Sequence, residues 1–462
     1  LYTPGRWCRP HALGWEIRAS RGLLGRLQAT YPCPLEFSGN AYEERRQAHM
    51  DAWLKDHPVF YTLRDYQQDA ILVSLNVQWG RIAFATNAGK GAVITLLAEF
   101  AAHHELSALI LCDELSVFGA LVEEINRWTT LPINHIDRTC KTPPTFGPVS
   151  VAMVPTLARR IANETTGKMW RAWVAEQDMV LLDEADKATA PTWKKILANA
   201  KGSHWRLGFS GTFPDPKTAA HADLQLDELM GPILLRAKNA DLIKRKISAT
   251  PHVTLRSFNA SGAIHAAEED PLFKTAHAMR TWWQQRGPAK RNWVWEHAIT
   301  NNPARHAFVA SLIRPDCPTA IVVNRVAHGL ALANSIPGAV FLDGTADPQQ
   351  RNNTLIAFQQ DKTRILIVTK ILDRGTNRLG HTTDLIFASG EGSTRQTLQR
   401  IGRGLRRTSG KAFLRLVDVI DCVEEGDYPS KLLLTAARFI HKAARTRITL
   451  YQSEGFKVEI IV

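Results

Sequence analysis

The sequence predicts an α/β chain of two tandem domains, each a parallel sheet covered by helices on both faces. A small N-terminal extension and a C-terminal helical tail flank them. Three observations predict this. Short apolar runs alternate with helix-length segments, the runs fall into two sets, and 462 residues at 45% apolar content suffice for two or three cores. Strands this apolar belong to sheets buried on both sides.

The first set of strands is read at 81–85, 108–112, 149–154, 179–182 and 205–209. The second is read at 319–323, 339–342, 364–369, 384–388 and 412–417. Between them, 238–245 reads as helix, 249–257 as strand, and 270–287 as a helix ending near Gly287-Pro288. The junction is expected within about ten residues of Lys246. The domains are therefore set at 61–245 and 246–425, with an unassigned extension at 1–60 and a tail at 426–462.

The chain carries 57 Lys+Arg against 44 Asp+Glu, a net charge of +13. A polyanionic partner suits that balance, because bound cations release counterions from a phosphate backbone. Cys8, Cys33, Cys112, Cys140, Cys317 and Cys422 are scattered without a CxxC pair. Neither a zinc site nor a disulfide framework is expected, and a reducing, cytoplasmic setting fits. No apolar run approaches the roughly 20 residues of a membrane span. Leu1–Arg6 has no apolar core, so no signal peptide is expected. The absence of an initiator Met reads as a fragment or a trimmed chain.

The segment Phe84-Ala85-Thr86-Asn87-Ala88-Gly89-Lys90-Gly91 lies between a strand and a helical run. That is the setting of a phosphate loop: Thr86, Asn87, Ala88 and Gly89 would offer backbone N–H groups, and Lys90 would reach the β/γ-phosphates. Two positions depart from GxxxxGK[ST]. Phe84 stands where the first Gly is expected, and Gly91 where a hydroxyl would bind Mg²⁺. Downstream, Met179-Val180-Leu181-Leu182 runs into Asp183-Glu184-Ala185-Asp186. Carboxylates at the C-terminal end of such a strand sit where α/β sheets bind ligands. Asp183 is the expected Mg²⁺ ligand, and Glu184 would orient or deprotonate the attacking water.

These motifs resemble superfamily 2 helicases, whose DEAD box is the sequence at 183–186. The resemblance implies two RecA-like domains with ATP between them, ATP and Mg²⁺ as cofactors, and nucleic acid as partner. Arg64-Asp65-Tyr66-Gln67 resembles the upstream adenine-reading motif, with Gln67 pairing with the base and Arg64 beside it. Ser210-Gly211-Thr212 resembles the motif that couples hydrolysis to domain movement. Gln399-Arg400-Ile401-Gly402-Arg403-Gly404-Leu405-Arg406 resembles motif VI; Arg403 and Arg406 match the arginines that reach the γ-phosphate, and Gln399 belongs to the coupling set. The stretch 365–377 resembles motif V. Thr369 and Gly375 match positions that touch nucleic acid or support the site, and Asn377 replaces the Asp that binds the ribose. Asn324 and Arg325 fit motif IV.

The GRGLRR form of motif VI, the segment 231–236 and the tail 445–462 resemble the phage UvsW-type helicases and their XPB- and RecG-like relatives. That favours DNA over RNA, in duplex or branched form. At motif Ia, Cys112-Asp113-Glu114 stands where a Pro-Thr pair contacts a phosphate; two carboxylates there repel a phosphate unless they face elsewhere. Arg159, Arg160, Arg395, Arg400 and, in the tail, Lys442, Arg445 and Arg447 are the basic residues that could compensate. Without the hydroxyl at position 91, a water takes the metal position, or Asp183 and the phosphates hold the metal alone. Two other functions remain open: an RNA-dependent ATPase of the same fold, and a binding or assembly module with a weak or lost ATPase.

Overall fold

In the computed structural model, the described residues are 8–11, 14–17, 52–145, 147–216, 219–269, 275, 281–282, 284, 287–369, 382–391, 397, 401–402, 404–405, 411–424 and 430–461. They divide into two compact units, 1–238 and 239–462.

In the first unit, strands β1 (Cys8–His11) and β2 (Gly14–Ile17) pair antiparallel. The main sheet has seven parallel strands: β3 (Trp79–Phe84), β4 (Ala108–Cys112), β5 (Ile133–Ile136), β6 (Val149–Met153), β7 (Met179–Asp183), β8 (Trp205–Ser210) and β9 (Ile233–Ala237). Their order is β5-β6-β4-β7-β8-β3-β9. Every residue of β4, β7 and β8 is buried, because helices cover both faces. The helices that shape the site are α1 (Asp65–Val77), α2 (Lys90–His103), α3 (Leu115–Trp128), α4 (Val154–Ala162), α5 (Gly167–Ala175), α6 (Pro191–Asn199) and α7 (Ala220–Met230). Arg81, fully buried on β3, ties the sheet to α7 through ion pairs with Asp223 (2.9 Å) and Asp227. Its guanidinium also lies 5.2 Å from the Phe213 ring.

The second unit opens with α8 (Asn239–Lys244), whose Asn239 Nδ2 donates to Glu454 at 2.8 Å. This contact carries the expected 238–245 helix into the second unit. The second sheet also has seven parallel strands: β10 (Thr250–Asn259), β11 (Thr319–Val322), β12 (Ala339–Leu342), β13 (Ile365–Val368), β14 (Asp384–Phe387), β15 (Phe413–Cys422) and β16 (Lys457–Ile461). Their order is β12-β13-β11-β14-β15-β10-β16. Helices α9 (Ser261–Glu269), α10 (Gly287–Trp295), α11 (Pro303–Ser311), α12 (Val326–Ser335), α13 (Pro348–Gln359) and α14 (Lys431–Ser453) accompany it.

Two expectations change here. Gly287-Pro288, read as a helix end, stands in the first turn of α10, where a residue without an N–H loses no hydrogen bond. Most of 270–286, the helix expected before it, lies outside the described residues. The tail is not an appendage. The side chain of Ser430 caps α14 by accepting from Leu433 N–H at 3.0 Å. α14 buries Leu432, Leu433, Ala436 and Ile440, and β16 adds to the sheet beside β10.

Candidate functional site

Strand β3 ends at Phe84, and the chain crosses Ala85–Gly89 to reach Lys90, the first residue of α2. Asn87 (φ 76°) and Gly89 (φ 82°) adopt left-handed conformations that let the loop wrap before the helix starts. No side chain caps the N-terminus of α2, which leaves it disposed for an anion. Lys90 Nζ lies 3.6 Å from Glu184 Oε1.

Glu184 follows the last residue of β7 at φ 53°, a strained value for a residue with a β-carbon, and leads into a tight turn at Ala185–Lys187. Its N–H donates to Asp183 Oδ1 at 3.0 Å. Burial pushes the Asp183 carboxyl up to about 6, with Lys90 opposing and Glu184 reinforcing the shift.

The same turn makes two further contacts. Ser210 Oγ, at the end of β8, donates to Asp186 Oδ1 at 2.8 Å, and Thr212 Oγ1 to Asp186 Oδ2 at 3.4 Å. Lys187 Nζ binds Asp113 (2.8 Å) and Glu114 (3.4 Å) at the end of β4. The two carboxylates of motif Ia thus face a lysine. Gly211 brings this loop against the phosphate loop: a β-carbon there would lie 3.0 Å from Phe84 O and 3.5 Å from Thr86 N.

Gly91 borders α3. A β-carbon at 91 would meet Glu124 Cγ at 3.1 Å, and Glu124 is itself held by Trp128 Nε1 at 3.0 Å. A hydroxyl could enter only if Glu124 shifts. Among the described residues, no group of three His, Cys, Asp or Glu side chains could cage a metal. Mg²⁺ takes one or two carboxylates together with phosphates and water. The buried, upshifted Asp183 is a carboxylate that a nearby cation would stabilise.

Gln67 turns inward. Its Oε1 accepts from Arg64 N–H at 2.9 Å, and its Nε2 donates to Ala88 O at 3.0 Å and Gly89 O at 3.2 Å. The amide expected to read adenine is engaged by the phosphate loop.

The basic and polar residues expected at nucleic acid separate into groups. Arg159 and Arg160 occupy the last turn of α4, about 10 Å along the helix from the C-terminal end of β6. There the helix dipole favours their charge. Arg160 Nη2 donates to Arg138 O at 3.4 Å. Asn324 Nδ2 donates to Glu391 at 2.7 Å, and Arg325 to Asn292 at 3.1 Å. Thr369 is only 4% exposed, which suits support of the site rather than contact. Arg447 is corrected: it is 2% exposed and bound to Asp418 at 2.8 Å, while Lys442 and Arg445 stay exposed. Gly375, Asn377, Arg395, Gln399, Arg400, Arg403 and Arg406 lie outside the described residues. Around them, Ile401 and Leu405 are fully buried, and a β-carbon at Gly404 would lie 3.0 Å from Leu414.

Sequence reasoning missed Tyr66, whose hydroxyl donates to Ala88 O at 3.0 Å, and Lys187. Both adjoin recognised motifs, and that adjacency was the available signal.

Comparison with known proteins gives two family models. One, described as type III restriction enzyme, res subunit, matches residues 60–215. The other, helicase conserved C-terminal domain, matches 315–408. The ATP-dependent DNA helicase uvsW of Enterobacteria phage T4 is 22% identical over 94% of this chain and 86% of its own length. The general transcription and DNA repair factor IIH helicase/translocase subunit XPB of Dictyostelium discoideum is 27% identical over 54% of this chain, which spans 28% of that protein. Among solved structures, the type ISP restriction-modification enzyme LlaBIII bound to DNA has a TM-score of 0.55 at 14% identity, covering 86% of this chain and 31% of that one. S. cerevisiae Dbp5 bound to RNA and ADP BeF3 has a TM-score of 0.54 at 13% identity, covering 89% and 95%. At such identities the structural likeness speaks for the fold, two tandem RecA-like domains.

Proposed function

We propose, from the premise that the chain belongs to superfamily 2 of helicases and resembles UvsW, that it is an ATP-dependent motor acting on duplex or branched DNA. The observation that carries the proposal is the meeting of Lys90, at the start of α2, with Glu184, at the end of β7. A lysine at a helix N-terminus facing a carboxylate at a sheet's C-terminal edge is an arrangement for phosphoryl transfer.

The residues divide the work. The backbone of 86–91 and Lys90 hold the phosphates. Glu184 orients the attacking water and accepts its proton. Asp183 would hold Mg²⁺, which screens charge on the phosphates when bound. Asp186 passes the state of the turn to Ser210 and Thr212. Arg403 and Arg406 are assigned the charge that develops on the transferred group. Arg325, Lys442 and Arg445 are candidates for nucleic-acid contact, with Asn324 and Thr369 supporting the strand ends beside them. The positive net charge suits either nucleic acid, and the DNA named for uvsW supports DNA over RNA.

Gly91 favours a second reading, a binding module with weak hydrolysis. One assay separates the two: ATP hydrolysis with Mg²⁺, with and without forked duplex DNA or single-stranded RNA, beside Glu184→Gln. DNA-stimulated hydrolysis is expected, falling at least about a hundredfold in Glu184→Gln, as loss of a general base requires. Hydrolysis indifferent to both nucleic acids would refute the motor. DNA binding without hydrolysis would select the module.

A further inference from the structure

Helix α14 contains no Asp or Glu in its 23 residues. Its buried side holds Leu432, Leu433, Ala436, Ile440, Ala443 and Leu450. Its exposed side carries Lys431, Arg438, Lys442 and Arg445. At about 100° per residue these cations fall within about 60° of one another around the axis, and at about 1.5 Å per residue they form a straight stripe about 21 Å long. Among the described residues, Arg447 is the helix's one ion-paired cation, and it turns the other way, into Asp418.

Two anchors fix the stripe on the second sheet. Arg447 donates to Asp418 at 2.8 Å and to Val419 O at 3.1 Å, and His441 Nε2 accepts from Val423 N–H at 3.3 Å. Rising numbers on α14 thus meet falling numbers on β15, so the helix runs antiparallel to the strand. His441 stands level with the carboxyl end of β15, which closes at Cys422. Residues 431–440 therefore project about 15 Å beyond the carboxyl edge of the sheet, the edge at which α/β sheets meet ligands. Ile264 of α9 and Val294 and Trp295 of α10 support them there.

A fixed row of cations without acids suits a stiff polyanion. A duplex strand presents one phosphate per ~3.4 Å of axis, about six over this length, enough for every cation to find one. Contacts to single strands use exposed rings for base stacking, and α14 offers none: Phe439 packs against the apolar cluster and Tyr451 is buried. A membrane surface fits less well. An interfacial helix needs its apolar side free, and here that side is turned into the protein, with Leu434 the one large apolar residue of the helix left exposed.

We propose that Lys431, Arg438, Lys442 and Arg445 form a track on the second unit that holds duplex DNA by its phosphates, whatever the base sequence. This rests on the reading of the chain as acting on DNA. The track needs no nucleotide, because each of its residues lies outside the unit that carries Lys90.

Fluorescence anisotropy of the full chain without nucleotide tests it, on two duplexes of unlike sequence and a single strand of equal length, across a salt series. Each phosphate contact adds about 0.9 to the slope of log affinity against log salt on duplex DNA. Replacing all four cations by Gln is expected to lower that slope by about 3 to 4 on both duplexes, with little change on the single strand. Lys431→Gln with Arg438→Gln should lower it by about half as much, and Lys431→Arg with Lys442→Arg should leave it unchanged. Melting curves check that each variant folds. A duplex slope that survives the fourfold change overturns the track and leaves the motor reading standing. An equal loss on the single strand also overturns it, and assigns the stripe to a strand contact. Loss of binding to phosphatidylserine vesicles with DNA binding unchanged overturns it in favour of a membrane. A wild-type chain that binds no nucleic acid overturns the DNA reading itself, and the track with it.

Discussion

Two clusters of paired opposite charges, one in each unit, sit in different environments. At the carboxyl end of the first sheet, Lys90, Glu184, Lys187, Asp113 and Glu114 have side chains 16–29% exposed. In the second unit, the side chains of Arg447, Asp418, Arg305 and Asp421 are 0–2% exposed. There each contact is duplicated. Arg447 also donates to Val419 O and Glu391 O at 3.1 Å, and Tyr451 Oη donates to Asp418 at 2.6 Å. A pair that water reaches can exchange partners at little cost, because water replaces what is lost. A buried network cannot, because a vacated partner strands a charge. The first cluster is suited to chemistry, and the second to holding a helix on a sheet.

Removing one member from each cluster should separate them. Arg447→Met leaves Asp418 buried with only the Tyr451 hydroxyl. A loss of about 3–5 kcal/mol is expected, measured as the second-unit transition in urea, with nucleotide binding by the first unit preserved. Adding Asp418→Asn should recover part of that loss. An undisturbed second unit would show that the network is dispensable. Lys187→Met should leave folding nearly intact but unmask Asp113 and Glu114. If that edge meets a phosphate backbone, DNA affinity falls roughly thirtyfold at low salt, since each of the two bared carboxylates costs on the order of 1 kcal/mol. Asp113→Asn with Glu114→Gln should restore it, as followed by anisotropy across a salt series. Unchanged affinity would mean that nucleic acid passes elsewhere.

The same contrast explains what was legible. Inner strands announced themselves because parallel-sheet strands are continuous apolar runs, and Ala108–Cys112 was found to the residue; the edge strand Ala339–Leu342 was found as well because its own run is apolar. The edge strands Ile133–Ile136 and Lys457–Ile461 were missed, since their runs are broken by polar or exposed positions. β15 runs to Cys422, beyond the expected end at Val417, because Asp418 and Asp421 look like a strand terminus until their arginines are known. In the candidate site, spacing singled out Lys90 and Asp183-Glu184, which the fold brings to within 3.6 Å at Lys90 and Glu184. The partners around them were not legible, because the pairing of Lys187 with Asp113 spans 74 residues and exists only in the fold. Arg447 was misplaced for the same reason: a basic residue on an amphipathic helix reads as surface until a buried acid is set opposite.

The smallest expected effect concerns acid. His328 on α12 is 2% exposed, and its ring lies 5.7 Å from that of His306 on α11. Burial holds its pKa well below 6.5, and the charges of Arg305, His306 and Arg325 act in the same direction; burial also lowers that of His306. The native state therefore keeps the His328 ring neutral while the unfolded chain takes up a proton there below about pH 6.5. The unfolded state then binds more protons, so stability falls as pH drops through that range and is insensitive to these rings above it. Each histidine can remove at most about 1.4 kcal/mol per pH unit. Second-unit melting should decline between about pH 6.5 and 5, before most unperturbed carboxylates titrate, and His328→Leu should flatten that decline. Parallel acid profiles in the variant and the wild type would assign the sensitivity to other groups. In that event the buried charges of the second unit, not its buried neutral rings, would set its acid limit.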